Sequence, residues 1–150
     1  QIMADIFTKA KRSEVMSHIR SRGNKDTEMR LVGLMREHRI IGWRRHQQLR
    51  IVVGGVTKRV RPDFVFREAG LAVFVDGCFW HGCPKCYVRP KQHRKFWDEK
   101  VVTNQARDRR QTRALKAMGW RVLRLWECAL TKRSADRTMA RLHRMLAAVG

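Results

Sequence analysis

The segment from Arg61 to Asp76 constrains the fold more than any other. It reads Arg61-Pro62-Asp63-Phe64-Val65-Phe66, then Arg67-Glu68-Ala69-Gly70, then Leu71-Ala72-Val73-Phe74-Val75-Asp76. Two short runs of β-branched and aromatic residues joined by a Gly-containing turn predict a β-hairpin. With Ala69-Gly70 as a two-residue turn, Phe66 faces Val73 and Asp63 faces Asp76. Directly opposed side chains lie about 4.5–5.5 Å apart, and like charges so placed destabilise the pair. A hard divalent cation such as Mg2+ removes that repulsion through oxygen ligands. Such an ion activates water and stabilises charge on a phosphodiester being cut. His81, just beyond Asp76, is placed to move the proton. The competing reading is local: Asp63 caps a strand after Pro62, and Asp76 opens a turn with Gly77. A slip of one residue would also put the two carboxylates on opposite faces.

The rest of the chain supplies the elements that would surround this hairpin. Val15, Met16 and Ile19 mark a short helix over about 8–22, ended by Gly23. Asn24, Asp26 and Thr27 offer N-caps for a second helix over 27–38, with Leu31, Val32, Leu34 and Met35 on its apolar face. Leu49–Val53 reads as a strand ending at Gly54-Gly55, and Val60–Phe66 and Leu71–Val75 as two more. A long helix is expected from His93 to Met118, with Phe96, Trp97, Val101, Leu115 and Met118 on its buried stripe and Gly119 as its stop. Trp120–Trp126 is an apolar strand, and a last helix spans Thr131–Ala148. The expected architecture is an α/β domain built on a mixed sheet.

All four cysteines fall into one pattern. Cys78, Cys83 and Cys86 share a Gly/Pro-rich loop, and Cys128 follows the last strand. A short-spaced group plus one remote thiolate suits a tetrahedral structural zinc site. His81 lies inside the group and offers an alternative ligand, and buried free thiols are the competing reading. Gln1 to Asp5 lack the apolar stretch of a secretory signal. A reducing, cytoplasmic setting is therefore expected, and it favours metal ligation over disulfides.

Charge points to the partner. The chain carries 34 Lys+Arg against 13 Asp+Glu, a net of +21. A field of that size destabilises the compact state unless a polyanion neutralises it, and nucleic acid is the polyanion that also releases counterions on binding. The lack of a long apolar run argues against a membrane. Phe79-Trp80, between Cys78 and His81, reads either as a core pair or as a wedge between DNA bases. Lys100, Asn104 and Asp108 recur at i+4 spacing along the long helix, where Lys and Asn either reach base edges or form an ordinary surface ladder. Arg107, Arg109, Arg110, Arg113 and Lys116 suit phosphates. Glu28 either answers its helix dipole or lends a third carboxylate to the metal site.

These residues, taken in order, resemble the very-short-patch repair endonucleases. The resemblance is carried by Arg12-Ser13-x-x-Met16-Ser17-x-Ile19, Thr27-Glu28-x-x-Leu31, Arg61-Pro62-Asp63-Phe64 and Phe74-Val75-Asp76-Gly77-Cys78-Phe79-Trp80-His81-Gly82-Cys83-Pro84. Phe96-Trp97-x-x-Lys100-x-x-x-Asn104-x-x-Arg107-Asp108-Arg109 and Gly119-Trp120-x-Val122-Leu123-x-x-Trp126-Glu127-Cys128 continue it almost to the end of the chain.

The resemblance implies a restriction-endonuclease-like fold with a modified PD-(D/E)xK centre, filling residues 1–150 as one endonuclease domain in which 1–22 is a DNA-contacting helix. It implies nicking of one strand 5′ of the thymine in a T:G mismatch left by deaminated 5-methylcytosine. Asp63 and the Val75 carbonyl would hold catalytic Mg2+, with Asp76 as a further ligand or base. His81 would be the general base, supported by Glu28. Met16, Phe79 and Trp80 would be wedges. Ile19 and Arg107 would join Lys100 and Asn104 on the DNA, and Cys78, Cys83, Cys86 and Cys128 would hold structural zinc. The family pattern is not followed everywhere: some members carry His at the position of Asp76 and at that of Cys83, and Cys78 stands where the wider nuclease motif has lysine. The expected form is a cytoplasmic, nucleoid-associated monomer acting on double-stranded DNA. The alternatives are a related nuclease of a defence or modified-DNA system and a non-catalytic, zinc-stabilised DNA-binding module.

Overall fold

A computed structural model describes residues 25–148. The helix expected over 8–22, with Met16 and Ile19, lies outside the described residues. The chain is helical over 25–37 (α1). It continues through β1 (Trp43–Arg45), β2 (Leu49–Val53), β3 (Val56–Val60), β4 (Phe64–Phe66) and β5 (Leu71–Asp76) to α2 (Arg94–Ala117). Then come β6 (Arg121–Trp126), a 3-10 turn (Glu127–Leu130) and α3 (Ala135–Ala147).

Four strands form a mixed sheet in the order β1-β4-β5-β6, and β2 and β3 form a separate two-stranded ribbon. β5 is antiparallel to β4 and parallel to β6. Its residues Leu71 to Phe74 are all buried, as a strand covered on both faces requires. One face of the sheet presents Phe64, Phe66, Leu71, Val73, Leu123 and Leu125 to Leu31, Val32 and Met35 of α1 and to Met139 and Leu142 of α3. The other presents Val65, Ala72 and Phe74 to Ala114 and Leu115 of α2 and to Leu49, Ile51 and Val60 of the ribbon. Each fully buried Leu, Val or Phe contributes about 1.5–3 kcal/mol relative to exposure. The two-faced burial of β5 is therefore what fixes its end, and Asp76 with it.

Three expectations need correction. The single strand expected over Val60–Phe66 is two: β3 pairs with β2, and β4 pairs with β1 and β5. Pro62 lies between them and offers no N–H to a ladder. The hairpin register is also shifted by two residues: Phe66 pairs with Leu71 and Phe64 with Val73. The turn takes four residues, Arg67 to Gly70, closed by Gly70 N–H donating to the Arg67 carbonyl (3.1 Å) with Gly70 at φ 60°. A two-residue shift keeps every side chain on its face, but it takes Asp63 out of register with Asp76. Finally, Phe96 and Met118 are exposed on α2, and its buried residues are Asn104, Ala114 and Leu115.

Candidate active site and metal centres

Strands β5 and β6 run parallel, so their C-terminal ends share one edge of the sheet, and the candidate site is built there. Asp63 sits in the bend just before β4. Its Oδ2 accepts the Val75 N–H of β5 (2.7 Å), and its backbone carbonyl accepts the His46 N–H (3.3 Å). Glu28, buried in α1, reaches the same place. Ligand atoms of Glu28, His46 and Asp63 all lie within 4.8 Å of one another. Glu28 Oε1 is shared by His46 Nε2 (2.6 Å) and Arg45 (3.0 Å). Burial is the main force on Asp63, and the negative charges of Glu28 and Asp76 add to it against the Val75 hydrogen bond. Together they push its pKa up to about 7. A carboxylate so destabilised, and in no ion pair among the described residues, is primed for a cation.

Asp76 is buried as well, but its charge is answered. Arg124, next to it on β6, donates through Nη1 to both carboxylate oxygens (3.1 and 3.3 Å). The same guanidinium donates to Thr112 Oγ1 (2.7 Å) and to the Asp108 carbonyl (3.3 Å), and lies 4.0 Å from the centre of the Phe74 ring. Burial still dominates and raises the Asp76 pKa, with Arg124 and His81 opposing it. His81 faces Asp76, and its Nδ1 is hydrogen-bonded to Asp108 of α2. Burial raises the Asp108 pKa, but the His81 hydrogen bond and the positive charges of Arg124 and Arg107 outweigh it, so the net shift is downward. Asp108 thus remains a carboxylate, and it orients the imidazole so that Nε2 is left for chemistry.

The expected pair, Asp63 with Asp76, is therefore divided between two groups: Glu28, His46 and Asp63 in one, and Asp76, His81 and Asp108 in the other. Val75 joins them through its backbone. Sequence reasoning missed two members. Asp108 read only as part of a helix ladder, although its i+4 relation to Asn104 already placed it on the edge that faces the loop. His46 gave no sequence signal, because it is brought to Glu28 only by the packing of α1 on β1 and β4.

The four cysteines converge as expected. The sulfurs of Cys78, Cys83, Cys86 and Cys128 lie within 4.8 Å of one another, and Cys83 and Cys128 are 3.8 Å apart. A tetrahedron with zinc–sulfur bonds of about 2.3 Å has edges of about 3.8 Å, so the donor set fits zinc. Burial raises the Cys78 pKa. For Cys83 burial is outweighed by the Lys85 and Cys86 amides, which favour its thiolate. Glu127 braces the site: it accepts the Cys78 N–H (3.0 Å) and the Thr27 hydroxyl (3.3 Å). At Gly82 an added Cβ would come 2.7 Å from Val101. The loop can therefore lie this close to α2 only with glycine there.

Phe79 and Trp80 are half-buried in a cluster of rings. Phe79 meets Trp80 at 5.3 Å and Trp97 at 5.2 Å, both edge-on, and Trp80 lies 5.9 Å from Trp97. Asn104 is buried, and its amide donates to the Trp80 carbonyl (2.8 Å), while Gln105 holds the His81 carbonyl (2.9 Å). The amide of Asn104 thus supports the aromatic loop instead of pointing outward with Lys100, which is only partly exposed. Arg107 lies beside Asp108, with a 3.7 Å separation, and is 43% exposed. Among the described residues, no helix is long and apolar enough to cross a membrane.

Residues 4–87 match the family model described as DNA mismatch endonuclease Vsr. The chain is 40% identical over 133 residues to the DNA mismatch endonuclease Vsr of Escherichia coli (strain K12), spanning 87% of this chain and 78% of that protein. It is 34% identical over 146 residues to the type II nicking enzyme V.NmeAIP of Neisseria meningitidis, spanning 96% of this chain and 95% of the other. The catalytic domain of the homing endonuclease I-Bth0305I aligns at a TM-score of 0.49 with 21% identity, over 81% of this chain and 93% of that one.

Proposed function

The chain belongs to the Vsr family of DNA mismatch endonucleases, and from that premise we propose that it nicks one strand of duplex DNA 5′ of the thymine in a T:G mismatch, with Mg2+ as the catalytic ion. The observation that carries this reading is a buried, cation-seeking carboxylate, Asp63, bonded to the Val75 N–H at the same end of the sheet as an imidazole, His81, that Asp108 orients. The chain is read as one restriction-endonuclease-like domain acting as a monomer in the cytoplasm at the nucleoid.

Asp63, the Val75 carbonyl and Asp76 would hold Mg2+, with Glu28 in support. When bound, the ion supplies positive charge that favours deprotonation of water and stabilises the phosphodiester as its own charge grows. In the hydrolysis, a bond forms from water oxygen to phosphorus, one phosphorus–ester oxygen bond breaks, and the departing oxygen takes a proton from solvent and leaves as a hydroxyl. His81 Nε2 takes the proton of the attacking water, and Asp108, across the ring at Nδ1, stabilises the imidazolium that results. Arg124 keeps Asp76 and the Asp108 turn of α2 in fixed relation. Cys78, Cys83, Cys86 and Cys128 would hold structural zinc, tying the His81 loop to the end of β6.

Met16, Phe79 and Trp80 would enter the stacked bases at the mismatch, with Ile19, Lys100 and Arg107 on the DNA. Asn104 would act on the mismatch through the Trp80 carbonyl it holds. The net charge of +21 supports a polyanionic substrate. The deciding assay compares otherwise identical T:G and C:G duplexes in Mg2+. Nicking is expected on the first and little on the second. Equal cutting would reject the mismatch preference and leave a nuclease with another target, and no cutting with any divalent metal would leave a binding module.

A further inference from the structure

The β2–β3 ribbon takes no part in the site described above, and its outer face is hard to explain in an isolated protein. Arg50 and Arg59 are directly opposed across the ribbon, and both are exposed. Like charges in that position oppose strand pairing. Arg61, on the same face as Arg59 and exposed, adds another cation, and residues 47–62 contain no acidic residue. Among the described residues neither Arg50 nor Arg59 is in an ion pair; Arg59 donates only to Gln48 (3.3 Å). Val52 and Val56, 48% and 56% exposed, flank the tip. The tip turns on Gly54 and Gly55 with φ of 56° and 78°, a tight type I′ geometry that keeps the ribbon slender.

The ribbon is also well anchored and well aimed. Leu49, Ile51 and Val60 are buried against Ala114 and Leu115 of α2, so its root is fixed on the sheet. Arg59 precedes Asp63 by four residues, which an extended chain spans in at most about 14 Å. A duplex whose scissile phosphate lies at Asp63 therefore has its neighbouring phosphates within reach of the ribbon. A two-stranded ribbon is narrow enough for the major groove, about 12 Å wide.

We propose that the β2–β3 ribbon is a second DNA-binding element, whose Arg50–Arg59 pair holds the phosphate backbone beside the cut site. A polyanion between them turns a repulsive pair into a useful one, and because phosphates carry no sequence information the grip is equal on any duplex. The inference rests on the endonuclease reading for the position of the DNA.

The test measures binding of the zinc-loaded protein to matched and mismatched duplexes without added Mg2+ at several salt concentrations. Arg50→Gln with Arg59→Gln is expected to weaken both duplexes equally. It should also flatten the slope of log affinity against log salt by nearly two, about 0.9 for each phosphate no longer neutralised. The control is Arg36→Gln with Arg39→Gln, which removes the same charge from the end of α1 on the opposite face of the sheet. An unchanged slope in the ribbon variant overturns the proposal, as does an equal change in the control, which would reflect net charge alone. A loss confined to the mismatched duplex overturns it too, since that would be base reading. Arg50→Glu converts the opposed pair to unlike charges, so it should bind DNA less tightly yet melt higher than the parent, which separates weakened binding from weakened folding. Because binding is read without Mg2+, failure to nick any duplex would sink the functional reading and leave this result standing.

Discussion

Asp63 and Asp76 stand at the same end of the sheet, and burial raises the pKa of both, yet they are compensated in different ways. Arg124, opposite Phe74 on the parallel neighbour β6, reaches Asp76 with its guanidinium, and the charge of Asp76 is balanced within the protein. Asp63 has a backbone N–H and two acidic neighbours, Glu28 and Asp76, and its pKa rises to about 7. The difference teaches that burial alone does not make a metal ligand. What distinguishes Asp63 is burial without an ion pair among the described residues, and what distinguishes Asp76 is an arginine that ties it to the His81–Asp108 pair.

The largest effect should come from removing the uncompensated carboxylate. Asp63→Asn is expected to lower nicking by more than about 10³, since a metal's charge stabilisation amounts to several kcal/mol. Asp76→Asn should cost less, about tenfold, because Arg124 already balances the Asp76 charge, which leaves less of it for the ion. Single-turnover nicking with both variants checked for folding measures this. Equal losses would erase the distinction between the two aspartates.

A smaller effect is expected on the compensated side. Asp108→Asn keeps the shape but loses the charge that steadies the imidazolium, and it should slow nicking by roughly 10–100-fold, within the range of general acid–base catalysis. The acidic limb of the pH–rate profile should move with it. An Asn variant with the parent's rate and profile would remove Asp108 from the mechanism.

The smallest effect is on stability. Asp63 titrates near its ordinary value of 3.8 when unfolded and at about 7 when folded. Between those values the folded state holds a proton that the unfolded state has lost, so stability falls as pH rises through the window and levels off above it. The zinc-loaded protein without Mg2+ should therefore melt lower at about pH 8 than at about pH 5, and Mg2+ should restore the difference. Asp63→Asn should flatten the dependence. A Mg2+-free parent whose melting is as flat as the variant's would show that Asp63 is not strained by burial.

Much of this was legible in residues read one after another. The cysteine spacing foretold a cluster that the fold delivers, and Leu31, Val32 and Met35 marked the face of α1 that packs on the sheet. The period-two pattern of Phe64–Phe66 and Leu71–Val75 put the right side chains on the right faces even though the register was shifted by two, because an even shift preserves the alternation. Strand β1 was not separated from its surroundings, since a three-residue edge strand carries too little periodicity to be seen.

The sequence by itself determined the helices and the central strands, the thiol cluster, the cationic surface and the identity of the acidic groups, because these depend on local pattern and composition. Only the tertiary structure decided how those groups are partnered. Parallel pairing brings Arg124 to Asp76, helix packing brings Glu28 and His46 to Asp63, and α2 lays Asp108 against His81. Each of these partnerships crosses many residues of chain, and a side chain's charge is felt through space and not along the backbone.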